Sequence, residues 1–477
     1  FQGPDKEGVR IPAREELLGW IDNRGSRTLE SYDDGVGDAP LMSSIPEPGS
    51  IVEERYIESI DTYDWRLSNG ARVLVKSTDF KNDEILMDAF SPGGHSLVAD
   101  DEFYSAVNAT GIAGLSGLGK YDAIQLGKKL AGKVASVSVS LSNGYENVRG
   151  SASPKDLETL FQLTHMKFTE PRLDEKAFQS AIDRLRSSTE NRLKNPNAVF
   201  QDEVSRVMYM GHPRHKNMSE ALIQEIDADL ALEVYKDRFA DASDFTFIFV
   251  GSIDLEELKA YVSKYLASLP NLGREEKGRF VGDYMKQGQY EVKVARNLED
   301  KTLVSVTVYG DAEWSNENSF GLGLARDVLN IKMRESLREE ASGVYGVGVR
   351  GSLSREPREV FRSGFVFTCE PGNADKLIDL AWAEIDRLKE EGPSETDLEK
   401  VRENRLRSWE KGLKENPFWS GQLSSYARQG RDFDEILAAP DRIKAYTAEQ
   451  VQELARRYFD DTNRIRALLT PLEDGIN

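Results

Sequence analysis

The sequence holds one cysteine, four histidines and no long apolar run, and each scarcity removes a class of protein. Cys369 has no partner for an internal disulfide and cannot by itself build a Cys-rich zinc or iron–sulfur site. No stretch approaches the ~18 apolar residues of a membrane-spanning helix, so no membrane partner is expected. Basic residues are the minority charge, with 62 Lys+Arg against 82 Asp+Glu, a formal charge of −20. Such an acidic chain is poorly suited to the phosphate backbone of a nucleic acid, and none is expected as a partner. Apolar material is ample: 39% hydrophobic residues, with 20 Phe, 17 Tyr and 6 Trp among 477. At ~100–200 residues per domain, that length predicts two or three domains with sizeable cores.

The opening Phe1-Gln2-Gly3-Pro4 reads as the remnant of a cleaved tag, and a polar arm with one short helix near 13–23 follows. Beyond the arm the sequence repeats itself. Leu157 and its neighbours match the apolar positions around Leu377, and 377 − 157 is 220. Arg184-Leu185 matches Arg405-Leu406, and Asn195-Pro196 matches Asn416-Pro417. Val234 and Phe239 fall on Leu454 and Phe459, and Phe245–Val250 on Ile465–Thr470. Registers agreeing within one residue indicate a duplicated unit. The expected organisation is 1–54 as tag remnant and arm, then similar units over 55–272 and 285–475, joined through the polar 272–278.

Both hydrophobic periods occur in each unit. Val137, Val139 and Leu141 alternate with serines, and Thr302–Tyr309 and Val344–Arg350 alternate likewise, as strands with one buried face do. Helical periodicity marks 155–166, 174–194, 319–339, 374–389 and 395–414. Strands in pairs and helices in runs predict α+β domains, each an antiparallel sheet with helices packed on one face.

The histidines form no metal motif, since Pro213 interrupts His212-Pro213-Arg214-His215 and no third ligand follows it. A surface turn is expected there, a loop at His95 and a capping or partly buried place at His165. Gly114–Lys120 has the spacing of a phosphate-binding loop, but Tyr121 stands where a Ser or Thr should bind magnesium. It reads as a turn between helices.

A sharper pattern is the run from Arg338 to Arg350, where a helix end leads through Gly343 to Tyr345, Gly346 and Gly348 on a strand. Strand glycines often mark the close approach of another backbone. A peptide beside such a strand would meet the Tyr345 hydroxyl and the Arg338 guanidinium, donors of the kind that stabilise an oxyanion. Spacing alone fits at least as well a tyrosine at a sheet rim and an arginine in a solvated helix end.

Arg338 and, seven positions on, Tyr345 resemble the substrate-binding signature in the C-terminal half of the insulinase/pitrilysin-type zinc peptidases. The tandem units are similar to that family's too, as is the run Gly211–Arg214, Ile226-Asp227, Tyr235, Phe239 and Phe245–Asp254. The resemblance covers nearly the whole chain from about residue 60. It implies two halves closing like a clamshell over an unfolded peptide, with zinc held only by the N-terminal half through an inverted His-x-x-Glu-His motif. That motif is missing here. The resemblance therefore implies the non-catalytic C-terminal half of a larger peptidase, cut at its linker. No zinc or other cofactor, and no catalytic residue, is expected in this chain. Arg338, Gly343, Tyr345 and Gly346 would bind substrate, the partner would be the chain's own N-terminal half or a separate catalytic subunit, and a bacterial periplasm is the favoured compartment. A zinc-free subunit of a heterodimeric peptidase and a structural scaffold of the same fold are the alternatives.

Overall fold

The computed structural model describes residue 10 and residues 12–23, 36–37, 39–340, 344 and 346–472, with the backbone alone for 338–340. Helix α1 (Arg14–Asp22) stands in the predicted place within the arm and buries none of its residues. The first sheet contains β1 (Ile51–Ile57), β2 (Thr62–Leu67), β3 (Arg72–Ser77), β4 (Ile85–Pro92), β5 (Ala135–Leu141), β6 (Tyr145–Ala152) and β7 (Thr246–Gly251). Strand pairing thus starts at Ile51, slightly ahead of the expected 55. The accompanying helices are α2 (Phe103–Ser116), α3 (Ala123–Lys129), α4 (Leu157–Thr169), α5 (Glu175–Lys194), α6 (Pro196–Met208), α7 (Glu220–Gln224), α8 (Ala228–Arg238) and α9 (Leu255–Tyr261).

The second sheet is built from β8 (Gln289–Asn297), β9 (Thr302–Asp311), β10 (Val347–Ser354), β11 (Val360–Cys369) and β12 (Arg464–Pro471). Its helices are α10 (Asn316–Glu340), α11 (Ala374–Glu391), α12 (Glu395–Gly412), α13 (Asn416–Gln429), α14 (Ala439–Ala445) and α15 (Ala448–Tyr458). The chain is α+β, with two sheet–helix units.

The sheets share a core topology. Strands run β1-β2-β3-β7-β4-β6-β5 in one and β10-β11-β9-β12-β8 in the other. Neither is purely antiparallel as expected, because β3 pairs parallel with β7 and β8 pairs parallel with β12. The closing strand of each unit returns only after a run of helices, and a connection of that length permits parallel pairing where a tight hairpin does not.

Sequence explains the elements directly. In α15, Val451, Leu454, Ala455 and Tyr458 are buried at helical spacing, and Thr447 with Gln450 closes a capping box at its start. In α10, Leu322, Ala325, Leu329 and Met333 are fully buried in the second core. Glycines let α10 come close to its neighbours: a Cβ at Gly321 would lie 2.2 Å from the Leu454 side chain. Each buried aliphatic side chain contributes about 1.5–3 kcal/mol relative to exposure.

The face opposite each unit's own helices was expected to be bare, but it is partly covered by a helix from the other unit. On the first sheet, Leu74, Phe90, Ile248 and Val250 pack against Trp419, Leu423 and Tyr426 of α13. On the second, Val292, Val294, Tyr309, Ile465, Ala467 and Leu469 pack against Phe200, Met208 and Tyr209 at α6. The exchanged helices are those that open with the two Asn-Pro pairs. Polar contacts reinforce one side: Asn416 Oδ1 accepts the Thr78 hydroxyl at 2.6 Å, and Asn416 Nδ2 donates to Glu84 at 3.0 Å.

The hairpin tips also meet, the Tyr145 hydroxyl on β6 donating to Glu356 at 2.7 Å. The joint between the units follows the first unit closely, with Arg238 paired to Glu276 at 2.8 Å and Arg279 donating to the Ser96 carbonyl at 2.6 Å.

Candidate functional site

Helix α10 runs to Glu340 and β10 begins at Val347, later than the predicted start at Val344. Of the residues singled out in sequence, Arg338 lies in the last turn of α10, with its side chain outside what is described. Gly343 and Tyr345 lie outside the described residues, and Gly346 is exposed. The helix end and the strand start that carry the pattern have six residues between them in sequence, from Glu340 to Val347, with the strand at the edge of the second sheet.

Strand β10 is an edge of its sheet, paired on one side with β11. The Val349 N–H donates to Asn330 Oδ1 on α10 at 2.8 Å, so it points away from β11. In an antiparallel ladder the direction alternates by residue, so Val347, Gly351 and Leu353 also turn their backbone groups to the free edge. An edge of this kind can pair with a further extended segment.

The glycines differ in what they are for. A Cβ at Gly351 would lie 3.3 Å from Leu322, so this glycine lets α10 pack on the strand. Among the described residues, a Cβ at Gly346 would meet nothing within 4 Å, and one at Gly348 only Val366 at 3.5 Å, an ordinary contact. Glycine inside a strand costs roughly 0.5–1 kcal/mol relative to alanine, and the packing of the described residues does not require it at 348.

The histidines stand apart. His95, in a short turn after β4, is half-buried with its ring edge-on to Phe103. Burial, then the nearby Arg214 charge, lowers its pKa to about 4. His165 is buried within α4 rather than capping its end, and burial lowers it to about 4. Among the described residues, no group of three or more His, Cys, Asp or Glu is placed to hold a metal ion. The side chains present therefore do not fit zinc. Burial also pushes the Cys369 thiol up to about 11, away from nucleophilic use. The phosphate-loop spacing at 114–120 falls on the end of α2 and the turn after it, where Gly117 has φ +99° and lies tight against Tyr121.

One cluster escaped the sequence reading. The His215 ring stacks on Tyr209 with centroids 3.5 Å apart, and its Nε2 lies 2.7 Å from Asp283. Burial works to raise the Asp283 pKa, but the hydrogen bond and charge of His215 outweigh it and leave the carboxyl lower than usual. Arg362 of β11 donates to the Tyr209 hydroxyl. The cluster joins α6, the joint and the second sheet, a set of positions that no local spacing brings together.

Comparison with known proteins agrees with this architecture. Residues 225–405 match the model described as Peptidase M16 inactive domain. A zinc protease PQQL-like protein of Arabidopsis thaliana is 27% identical over 408 residues, covering 80% of this chain and 39% of that protein. The probable zinc protease PqqL of Haemophilus influenzae is 22% identical over 386 residues, covering 80% of this chain and 41% of its own. The chain spans about two fifths of the length of these curated relatives. In shape, it matches the crystal structure of the periplasmic protease PqqL from Escherichia coli with a TM-score of 0.80 and 21% identity, over 96% of this chain and 51% of that one. Residues 225–405 are thus similar to the M16 inactive domain, and the chain as a whole is similar in sequence to zinc proteases of the PqqL type and shares the fold of one of them.

Proposed function

We propose that this chain is the non-catalytic half of a zinc endopeptidase, which closes a chamber over an unfolded peptide and holds that peptide along β10. The observation that carries the reading is the position of β10 at the edge of its sheet, paired on one side only, with Gly348 in it free of any tight contact and Gly346 exposed just before it. The strand gains nothing internally from Gly348, whereas a peptide backbone drawing up beside it needs the room. Arg338 and Tyr345, at the entry to this strand, would donate to the substrate carbonyl, and Gly343 and Gly346 would let the backbone turn in toward it. Zinc and the attacking water would belong to an N-terminal half or partner subunit. On this reading 55–272 and 285–475 are two copies of one unit, supported by the shared order of five strands, and the periplasm is the compartment, by likeness to PqqL.

The test rejoins the chain to a zinc-bearing half and compares Tyr345→Phe and Gly348→Val with the parent. Losing an oxyanion donor costs about 10²–10³ in kcat. Tyr345→Phe should show that loss with Tm unchanged, and Gly348→Val should raise KM while leaving the fold intact. Full turnover by both variants would overturn the reading.

A further inference from the structure

We propose that the open parts of the two outer sheet faces form one docking surface for an extended, carboxylate-bearing polypeptide. This inference rests on the peptide-holding reading and adds the chemistry of the peptide. Helix α13 covers the first sheet over β3, β7 and β4, and α6 covers the second over β8, β12 and β9. The hairpins β5–β6 and β10–β11 extend beyond these helices on the same faces, where Arg428 of α13 reaches Asn147 and Tyr145 and the Tyr209 hydroxyl accepts from Arg362.

Their chemistry is alike. On the first hairpin, Ser136, Ser138 and Ser140 are exposed, and Ser138 stands opposite Arg149, whose side chain is 83% exposed. On the second, Arg350, Ser352 and Ser354 are exposed, and Ser352 stands opposite Arg362. Strand alternation turns no Asp or Glu of these four strands to this side, although the chain carries 82 acidic residues. Two carboxylates border the hairpins, Asp88, which pairs with Arg149 at 3.6 Å, and Glu356, engaged by the Tyr145 hydroxyl. Arg350 makes no ion pair among the described residues.

Guanidinium groups present paired donors that match a carboxylate, and the serines add hydroxyls without bulk. The overall charge of −20 is screened beyond about 8 Å at physiological ionic strength, so a docked segment responds to the local arginines. Because the hairpin tips touch, the two patches adjoin.

The test is fluorescence anisotropy of the full chain with a short labelled Glu/Ser peptide, its Gln/Ser counterpart and a Lys/Ser peptide, at low and high salt. Exposed ion pairs give a factor of about 1.4–5 each, so the Glu peptide should bind about ten-fold tighter than the Gln peptide. Salt should erase the difference, and so should the pair Arg149→Gln with Arg350→Gln. Arg407→Gln, at an exposed site on α12, should change nothing. Equal binding of Glu and Gln peptides would overturn the acidic preference and leave the peptide-holding reading standing. Absence of binding by every peptide would overturn both. An oligonucleotide binding as tightly as the Glu peptide would assign the surface to anions at large and overturn the polypeptide assignment.

Discussion

Exchange of α6 and α13 should make the two units unfold together, and Trp419→Ala tests this most directly. Trp419 belongs to a helix of the second unit, but it is buried on the outer face of the first sheet. Its Nε1 donates to the Leu413 carbonyl at 3.0 Å, and the Lys76 ammonium lies 4.3 Å from its ring centre. Truncating a buried aromatic to alanine costs about 3–5 kcal/mol. The upper part of that range is expected, since Lys76 is itself buried and would lose its aromatic cover, worth up to about 2 kcal/mol when desolvated.

Phe200→Ala removes the reciprocal contact, a fully buried ring in the cluster on the second sheet, at a similar cost. The two sites share no partner, so the double variant should lose about 6–10 kcal/mol, much of the 5–15 kcal/mol that holds a typical native state. Hydrogen exchange read by mass spectrometry follows the sheets separately. The expected result is that Trp419→Ala lowers protection in β4 and β7 and equally in β9 and β11, in one transition under urea. Loss confined to the first sheet, with the second at its parental protection, would show two independent units and refute the reasoning.

Two further outcomes follow from local geometry. Gly117→Ala should destabilise the protein by about 1–3 kcal/mol, because a Cβ there would fall 2.2 Å from the Tyr121 carbonyl at a φ of +99°, while Lys120→Ala should alter neither stability nor any calorimetric response to ATP. His165 has a folded pKa of about 4 against 6.5 in the open chain, so the unfolded state takes up the proton first. Its contribution is fully present above about pH 6.5 and is lost as pH falls toward 4, about 3 kcal/mol at 1.36 kcal/mol per pKa unit. Urea titrations at a series of pH values should therefore show a flatter acid limb for His165→Leu, and an unchanged limb would refute this.

Much of the architecture was legible because apolar positions recur along the sequence at a nearly constant offset, giving pairs of segments to compare. Leu157 and Leu377 are each buried on the helix that follows their own edge hairpin, and Phe239 and Phe459 each end the helix before the closing strand with their rings fully buried. The exchange of helices was not legible from periodicity, which says that a helix has an apolar side but not whose sheet receives it. A trace of it was present in composition. Val73-Leu74-Val75 and Phe247–Val250 are apolar without alternation, the mark of strands covered on both faces, whereas β5 alternates with serine. The paired Asn-Pro motifs show the limit of reading roles from a repeat. Asn195 caps its own helix through the N–H groups of Asn197 and Ala198, while Asn416 is buried and reaches across to Thr78 and Glu84.

The same exchange bears on the candidate site. A helix laid across the outer face of its neighbour's sheet can cover only the strands it spans, and in both units those are the strands around the parallel pair. The hairpin at the far edge extends beyond that helix, so its outward side chains must be tolerable in water, and serine and arginine satisfy that requirement as readily as they would serve a ligand. Solubility alone, however, would admit Asp and Glu, the commoner charges of this chain, on the same positions. Solubility also gives no reason for glycine at 348, where a side chain would make only an ordinary contact and a strand would gain from having one. The absence of carboxylates on these strands and the glycine at 348 are the two features that the proposed peptide beside β10 would account for and that solubility does not.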